Sequence, residues 1–484
     1  MEAFINADIF VVILNHKLKS ITWNVNPTPV LFMRLFKSDS MGDERQIKCL
    51  FMDRKIKNFD ELAISDLRKE ALLIAEAGLD AIDTRKSLKR IIKIEDKSIC
   101  IDDEVCTIQE TQKIFFVSVG KCAIEAAYFF EGVLGERLTG GIAFDVREPE
   151  VCTLKKIKCY GGTHPYPSDK NIEVSKEIVA LLKNLKEEDL VIFVISGGGS
   201  TLLCLPDEGS TCIDEKVILQ ELFRSGATIQ EINIVRKHIS FARGGYLAKY
   251  AHPAQGLALI FVDVPGGEMA FVASGPTIKD ETTIQDAEAI LNKYNILQNC
   301  GMSHCGLIDT PKEDRYFKNI NNKVIVTNEL ALHAMEAKAL ELGYNVSVEV
   351  EGLGGDAKEL GKKMAGKLND SPKSSAFICG GETTVKILHS GKGGRSQEVA
   401  ISALRTIGDG EIILPFASDG RDNGEYAGAI ADAETKKKAE QLNLNIEQHL
   451  TENNSTAFFE KTGDVLICGD TGSNVSDLLV ALKK

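Results

Sequence analysis

No apolar run in this chain of 484 residues comes near the roughly 20 needed to cross a bilayer, so no membrane-spanning helix is expected. The early run Ile9 to Leu14 is too short, and no basic residue precedes it as a secretory signal requires. C-x-x-C is missing among the 12 cysteines, and H-E-x-x-H among the eight histidines. The nearest thing to a metal cluster is Cys300, His304 and Cys305, and the thiols read as reduced, with zinc not expected. Also absent are the P-loop G-x-x-x-x-G-K-[ST], the dinucleotide fingerprint G-x-G-x-x-G and the nucleophile elbow G-x-S-x-G. Their absence excludes a P-loop enzyme, leaves a Rossmann dinucleotide site unsupported and weakens an esterase reading. Positive charge is also short, since 57 Lys+Arg against 70 Asp+Glu give a formal net charge of −13. That field repels nucleic acid, and any anionic ligand must be held by a local cluster of donors.

With 44% hydrophobic and 26% charged residues, the chain reads as globular and long enough for two or three domains. Residues 1–58 are expected to be an extension, disordered or processed. Residues 1–40 hold more Lys/Arg than Asp/Glu, as mitochondrial transit segments do, and Met33 and Met41 are alternative starts. A cytoplasmic location is expected, with the mitochondrion as the alternative. From Phe59 to Arg90 apolar residues recur at helical spacing, predicting a helix pair or one long helix. Strand-like runs follow at 113–120, 189–199, 256–264 and 322–328, each leading into a helical pattern. Continuous Val/Ile/Phe strands alternating with helices predict a doubly wound, mostly parallel α/β domain over 59–320. Residues 285–321 look loose enough for a crossing between domains. The segment 375–404 reads as two short strands around a Gly/Lys-rich turn and then a helix, inside a smaller α/β domain over 321–484.

In open α/β sheets ligands sit beyond the carboxyl ends of the strands. Small-residue turns stand there repeatedly, at Gly120, Gly197 to Gly199, Gly266-Gly267, Gly380-Gly381, Gly420 and Gly472. The run "VIFVISGGGSTLL" (191–203) delivers Ser196, Gly197, Gly198, Gly199 and Ser200 to the start of a helix, where backbone N–H groups can receive a phosphate or carboxylate. Any one such turn is as readily a matter of chain geometry, and it is their number that points to a site.

Two cations stand out. Lys121 follows a strand end and opens a helix, against the macrodipole unless an anion lies between. Arg395 follows a Gly-Lys-Gly-Gly turn, where a guanidinium can meet phosphoryl oxygens. In "INIVRKHISFARGGYLA", Asn233, Arg236, Lys237, Ser240 and Arg243 share one helical face suited to a small polyhydroxy acid. Acidic candidates are Asp263, Glu268, Glu382, Asp419, Asp422 and Asp477, for Mg²⁺ contact or for accepting a hydroxyl proton.

The ordered set "VGKCA", "GGTHPYPSDKN", "ISGGGSTLL", "INIVRKHISFARGGYLA", "DVPGGEMAFVASGPT", "GGETTV", "GGRSQE", "SDGRDNGEYAGAIAD" and "GDTGSNVSDL" resembles the class II glycerate kinases, the type ending in a MOFRL domain. The likeness runs from about residue 60 to the C-terminus. It implies ATP- and Mg²⁺-dependent phosphorylation of D-glycerate, 2-phosphoglycerate being the favoured product, in a cleft between two α/β domains. The family's catalytic lysine and arginine fall on Lys121 and Arg395. Ser196 to Ser200, Asn233, Arg236, His164 and Asn474 are then expected to bind substrate or phosphate, and Asp263, Glu382, Asp419 and Asp477 to hold metal or orient the hydroxyl. A homodimer is a further expectation. The chain departs from the family's pattern at Gly267 for an acid, Ser396 for Asn, Asp470 for Pro and Ser476 for Asn. Two rivals remain: a hydroxypyruvate reductase-type oxidoreductase, and a non-catalytic sensor of an organic acid or nucleotide.

Overall fold

Every position of the run Leu190–Ile195 is buried, as a β-branched strand covered on both faces requires. The computed structural model describes residues 54–95, 98–101, 104–107, 111–149, 151–263 and 268–484. The expectations for the N-terminal extension up to residue 53 and for Gly266 and Gly267 lie outside the described residues. A small antiparallel sheet comes first in the chain: β1 (Ile92–Glu95), β2 (Ser98–Ile101) and β3 (Glu104–Thr107). Six parallel strands follow, β4 (Ile114–Val119), β5 (Leu138–Asp145), β6 (Ile157–Gly161), β7 (Leu190–Ile195), β8 (Gln255–Phe261) and β9 (Ile320–Val326), in the order β6-β5-β4-β7-β8-β9. The expected doubly wound sheet is therefore present. Its side chains alternate between two cores: Val191, Phe193 and Ile195 enter one, Ile192 and Val194 the other.

The second sheet is mixed: β10 (Asn345–Leu353), β11 (Ser375–Gly381), β12 (Glu411–Ala417), β13 (Gly428–Ala429), β14 (Ala431–Asp432), β15 (Val465–Leu466) and β16 (Asp477–Lys483). Its order is β10-β11-β16-β12-β13-β15, with β14 also on β12, and only β10 and β11 run parallel.

Four expectations change. A boundary at 320/321 would cut β9 from its partner β8, so the first sheet extends to Val326. Helix Asp66–Ala81, expected with the first domain, packs on helix Asn328–Glu341 and on β16 of the second sheet. The stretch 285–321 begins with helices Ile284–Lys293 and Ile296–Cys300, the first held by a Thr283/Asp286 capping box, and packs with helices Cys212–Arg224 and Ile229–Lys237 instead of crossing between domains. No second strand follows β11, because the Asn453 side chain takes the N–H groups of Leu388 and His389 and the carbonyl of Lys386 that a ladder would use. Among the described residues no helix is long and apolar enough to cross a membrane.

Residues Arg54–Lys484 form one unit with a shared core, in which Phe116, Ile192 and Leu259 of the first sheet join Ile378, Leu414 and Val480 of the second through the helices around Ile74 and Met335. Arg68, wholly buried on helix Asp66–Ala81, bonds Asp432 through Nε and Nη2 (2.6 and 2.7 Å) and Asp464 through Nη1 (2.7 Å). Truncating it leaves buried Asp432 without its cation and buried Asp464 with Lys438 alone. We expect Arg68→Ala to lose about 3–5 kcal/mol in denaturant unfolding; a loss under about 1 kcal/mol, the scale of an exposed pair, would contradict this account.

Candidate active site

The chain leaves β4 toward β5 and leaves β7 toward β8, on opposite sides, so a crevice opens where these central neighbours end. Lys121 and the turn 196–200 stand at that switch point. Backbone bonds tie them together: Ser196 N–H to the Val119 carbonyl and Lys121 N–H to the Gly197 carbonyl, both 3.0 Å. Ser196 is fully buried, and its hydroxyl accepts the Cys122 N–H at 3.2 Å, so it positions the turn from within. The helix that follows is one turn, Gly199–Leu202, and the Ser200 hydroxyl meets that of Ser274 at 2.9 Å.

What comes closest to bare backbone at Gly197 is another part of the protein. A Cβ there would lie 1.7 Å from Asp263 Oδ2 and 2.5 Å from Asn474 Nδ2. Gly198 has φ 85°, and a Cβ on it would press on Val146, near Lys121 and His164. The Asn474 amide donates to Asp263 Oδ2 at 2.8 Å, and the Ser476 hydroxyl donates to the Asp263 carbonyl. These two bonds join the end of β8 to the turn before β16. Burial pushes the Asp263 carboxyl up to about 6, against the pull of Lys121.

Each catalytic candidate is paired across the fold. Lys121 Nζ donates to Asp419, which follows β12; burial works against the ammonium, but Asp419, Asp263 and Glu382 outweigh it and hold its pKa above the ordinary lysine value. Arg395 opens helix Arg395–Ala403 and reaches Asp477 through Nε and Nη2 (3.0 and 3.1 Å) and Glu382 at 3.0 Å. The helix start is fixed by Asp422, whose carboxylate accepts the N–H groups of Ser396 (3.0 Å) and Gln397 (2.7 Å). Burial, with Asp422 and Glu382 near, pushes the Asp477 carboxyl up while Arg395 opposes it. Asp419, Glu382 and Asp477 thus hold cations, and Asp263 is left with an amide.

The polar face expected over 233–243 is divided. The helix ends at Lys237; Lys237 pairs with Asp280 (3.1 Å), Ser240 donates to the Leu203 carbonyl (2.6 Å) and Arg243 pairs with Glu215 (2.6 Å). Those three hold the fold. Arg236 is different: its Nε, like that of Arg243, is buried with no hydrogen-bond partner among the described residues, but Arg243 spends its Nη atoms on Glu215 and the Arg236 carbonyl; burial with the nearby Arg243 lowers the Arg236 pKa to about 10. Asn233, on the same helix, is buried. His164, reached by the fields of Lys121 and Arg236, is held down to about 4 by the surrounding protein and then by those charges, so its imidazole is neutral at pH 7.

A cavity of about 510 Å³ gathers Lys121, His164, Arg395 and Asp419, with the Gly391, Gly393 and Gly394 loop as one wall. Arg147, Arg421, Asn423 and Asn453 also line it and were missed in the sequence. Arg421 sits inside a quoted motif, whereas Arg147 carries no signal beyond following a strand.

A switch-point crevice flanked by cations from two sheets defines an α/β enzyme for anionic substrates. Residues 70–304 match the model of a domain of unknown function, DUF4147, and residues 375–477 match the MOFRL family. The chain is 35% identical to the glycerate 2-kinase of Pyrococcus horikoshii, over 86% of this chain and 97% of that protein. A putative hydroxypyruvate reductase of Agrobacterium vitis is 34% identical over 68% of this chain and 77% of that protein. The crystal structure of a glycerate kinase from Thermotoga maritima superposes with a TM-score of 0.71 at 29% identity, covering 85% of this chain and 98% of that one. The chain belongs to the class II glycerate kinase family.

The Asn474 amide is the side-chain donor to the Asp263 carboxylate, so its removal favours the protonated form. In Asn474→Ala, ¹³C titration of the Asp263 carboxyl is expected to show a pKa above that of the intact chain. An unchanged or lower value would remove the amide from this role.

Proposed function

We propose that this chain transfers the γ-phosphoryl group of ATP to D-glycerate, giving 2-phosphoglycerate. The observation that carries the reading is the convergence of Lys121, at the end of a strand of the first sheet, and Arg395, delivered by the second, on one cavity. Phosphoryl transfer asks for positioned positive charge on both sides of the moving group. The glycerate hydroxyl oxygen bonds to the γ-phosphorus, the bond to the β–γ bridging oxygen breaks, and the hydroxyl proton passes to a carboxylate. Asp263 suits that last role, since a pKa near 6 leaves it ionised at pH 7 yet basic enough to accept. Arg236, with its unpartnered Nε, and Asn233 hold the glycerate carboxylate, and neutral His164 meets a hydroxyl. The N–H groups of Gly197 and Gly198 face the phosphates.

Mg²⁺ fits the donors present. They are carboxylate oxygens, the ligand type Mg²⁺ prefers beside substrate phosphates, and Asp419 stands at the cavity with Lys121 and Arg395. Asp419 would hold it, and when bound it would neutralise phosphate charge. A hydroxypyruvate reductase reading has a relative's name behind it, but the turn after β4 lacks the glycine fingerprint of dinucleotide sites.

The first test is ADP release with MgATP, with and without D-glycerate, beside NADH oxidation with hydroxypyruvate. Glycerate-dependent ADP formation supports the kinase; NADH oxidation without it would replace this reading. In Lys121→Ala and Arg395→Lys, kcat is expected to fall at least about 100-fold, with the circular dichroism of the folded chain retained at the assay temperature. Near-normal turnover in either would remove that cation from the mechanism. Protonating Asp263 removes the acceptor, so kcat/KM should fall as pH drops through about 6, and Asp263→Asn should be slow at every pH. An acidic limb that survives in the Asn variant would assign it to another group.

A further inference from the structure

We propose that Arg147 and Arg421 form a second phosphate subsite at this cavity, taking the polyphosphate tail of a nucleoside triphosphate, and that Asp470 is the internal carboxylate those phosphates displace. The inference rests on the reading of the chain as a nucleotide-dependent kinase. Arg147 follows the end of β5 in the first sheet, while Arg421 and Asp470 follow β12 and β15 in the second. Both arginines line the cavity that holds Lys121 and Arg395. Asp470 pairs with both, at 2.8 Å to Arg421 Nε and in direct contact with Arg147 Nη1.

Two guanidiniums share one carboxylate, and their charges oppose each other. Burial and then the Arg421 charge lower the Arg147 pKa. A group with more than one negative charge therefore satisfies the pair better than Asp470 does. Guanidinium forks match phosphate oxygens two at a time. The Asp470 pairings are open to water, with side-chain exposures of 44% for Arg147, 30% for Arg421 and 47% for Asp470, so little holds them against a competing anion. The same cavity offers Val385 and Ile387, the latter 80% exposed, as the kind of apolar surface that a nucleobase covers.

The test compares the full chain with Arg147→Ala, Arg421→Ala and Asp470→Asn. Apparent KM is measured for MgATP and for D-glycerate, each at saturating co-substrate, and the Kd of inorganic tripolyphosphate is measured by calorimetry, which needs no turnover. Each arginine variant should raise the MgATP KM and the tripolyphosphate Kd about tenfold, with the D-glycerate KM unmoved, and Asp470→Asn should lower both nucleotide-side constants. Unchanged tripolyphosphate binding in both arginine variants would overturn the proposal, as would an equal rise of both KM values with a fall in melting temperature, which marks a purely structural tie. If the chain turns over no glycerate, the kinase reading fails while tripolyphosphate binding still decides the subsite. Should an alanine variant not fold, the lysine variant, which keeps the charge and loses the fork, is judged by the same constants.

Discussion

The constraint on which the site depends is a hydrophobic core shared by two sheets. Helix Asp66–Ala81 is remote in sequence from the second sheet, yet it is fastened there by a buried arginine whose charge is met by two aspartates. Its apolar residues enter the same cluster as the strands of the first sheet. Because that core is continuous, the carboxyl ends of the first sheet's strands face the edge of the second where β11 and β12 end and β16 begins. Three polar contacts of the site cross between the sheets on that account: Lys121 with Asp419, Asp263 with Asn474, Arg147 with Asp470.

A chain with net charge −13 makes an unlikely host for anionic substrates, and the local pairing shows how the conflict is met. Lys121 and Arg395 are each matched by acids from other segments, and Arg147 and Arg421 share Asp470. An arriving phosphate exchanges one anion for another and separates no charges. Arg236, which does not line that cavity, differs: its Nε is buried with no hydrogen-bond partner among the described residues. On the reading proposed above, that contrast suits it to a substrate carboxylate.

The strands of the first sheet were legible because a fully buried parallel strand must be apolar on both faces, a pattern few other structures share. The glycine turn was legible as a close approach, but what approaches is the Asp263 carboxylate, and no local pattern announces a partner that distant. The domain boundary failed for a related reason, since β9 looks the same whether it ends one sheet or begins another. Lys237, Ser240 and Arg243 have the spacing of a ligand-binding face, and only the positions of Asp280, Leu203 and Glu215 reveal that their bonds are already made. Arg147 was illegible because an arginine after a strand is ordinarily a surface charge.

In the second sheet β16, the last strand in sequence order, lies in the middle, between β11 and β12. It also begins with the aspartate that holds Arg395. On the ribosome, then, β11 and β12 emerge as neighbours without their common partner, with two apolar strand edges waiting for residues not yet made. The first sheet has all its strands by Val326, so the two halves mature at different times. Arg395, held by the aspartate that opens β16, is therefore set in place late, after the crevice at the first sheet is nearly finished.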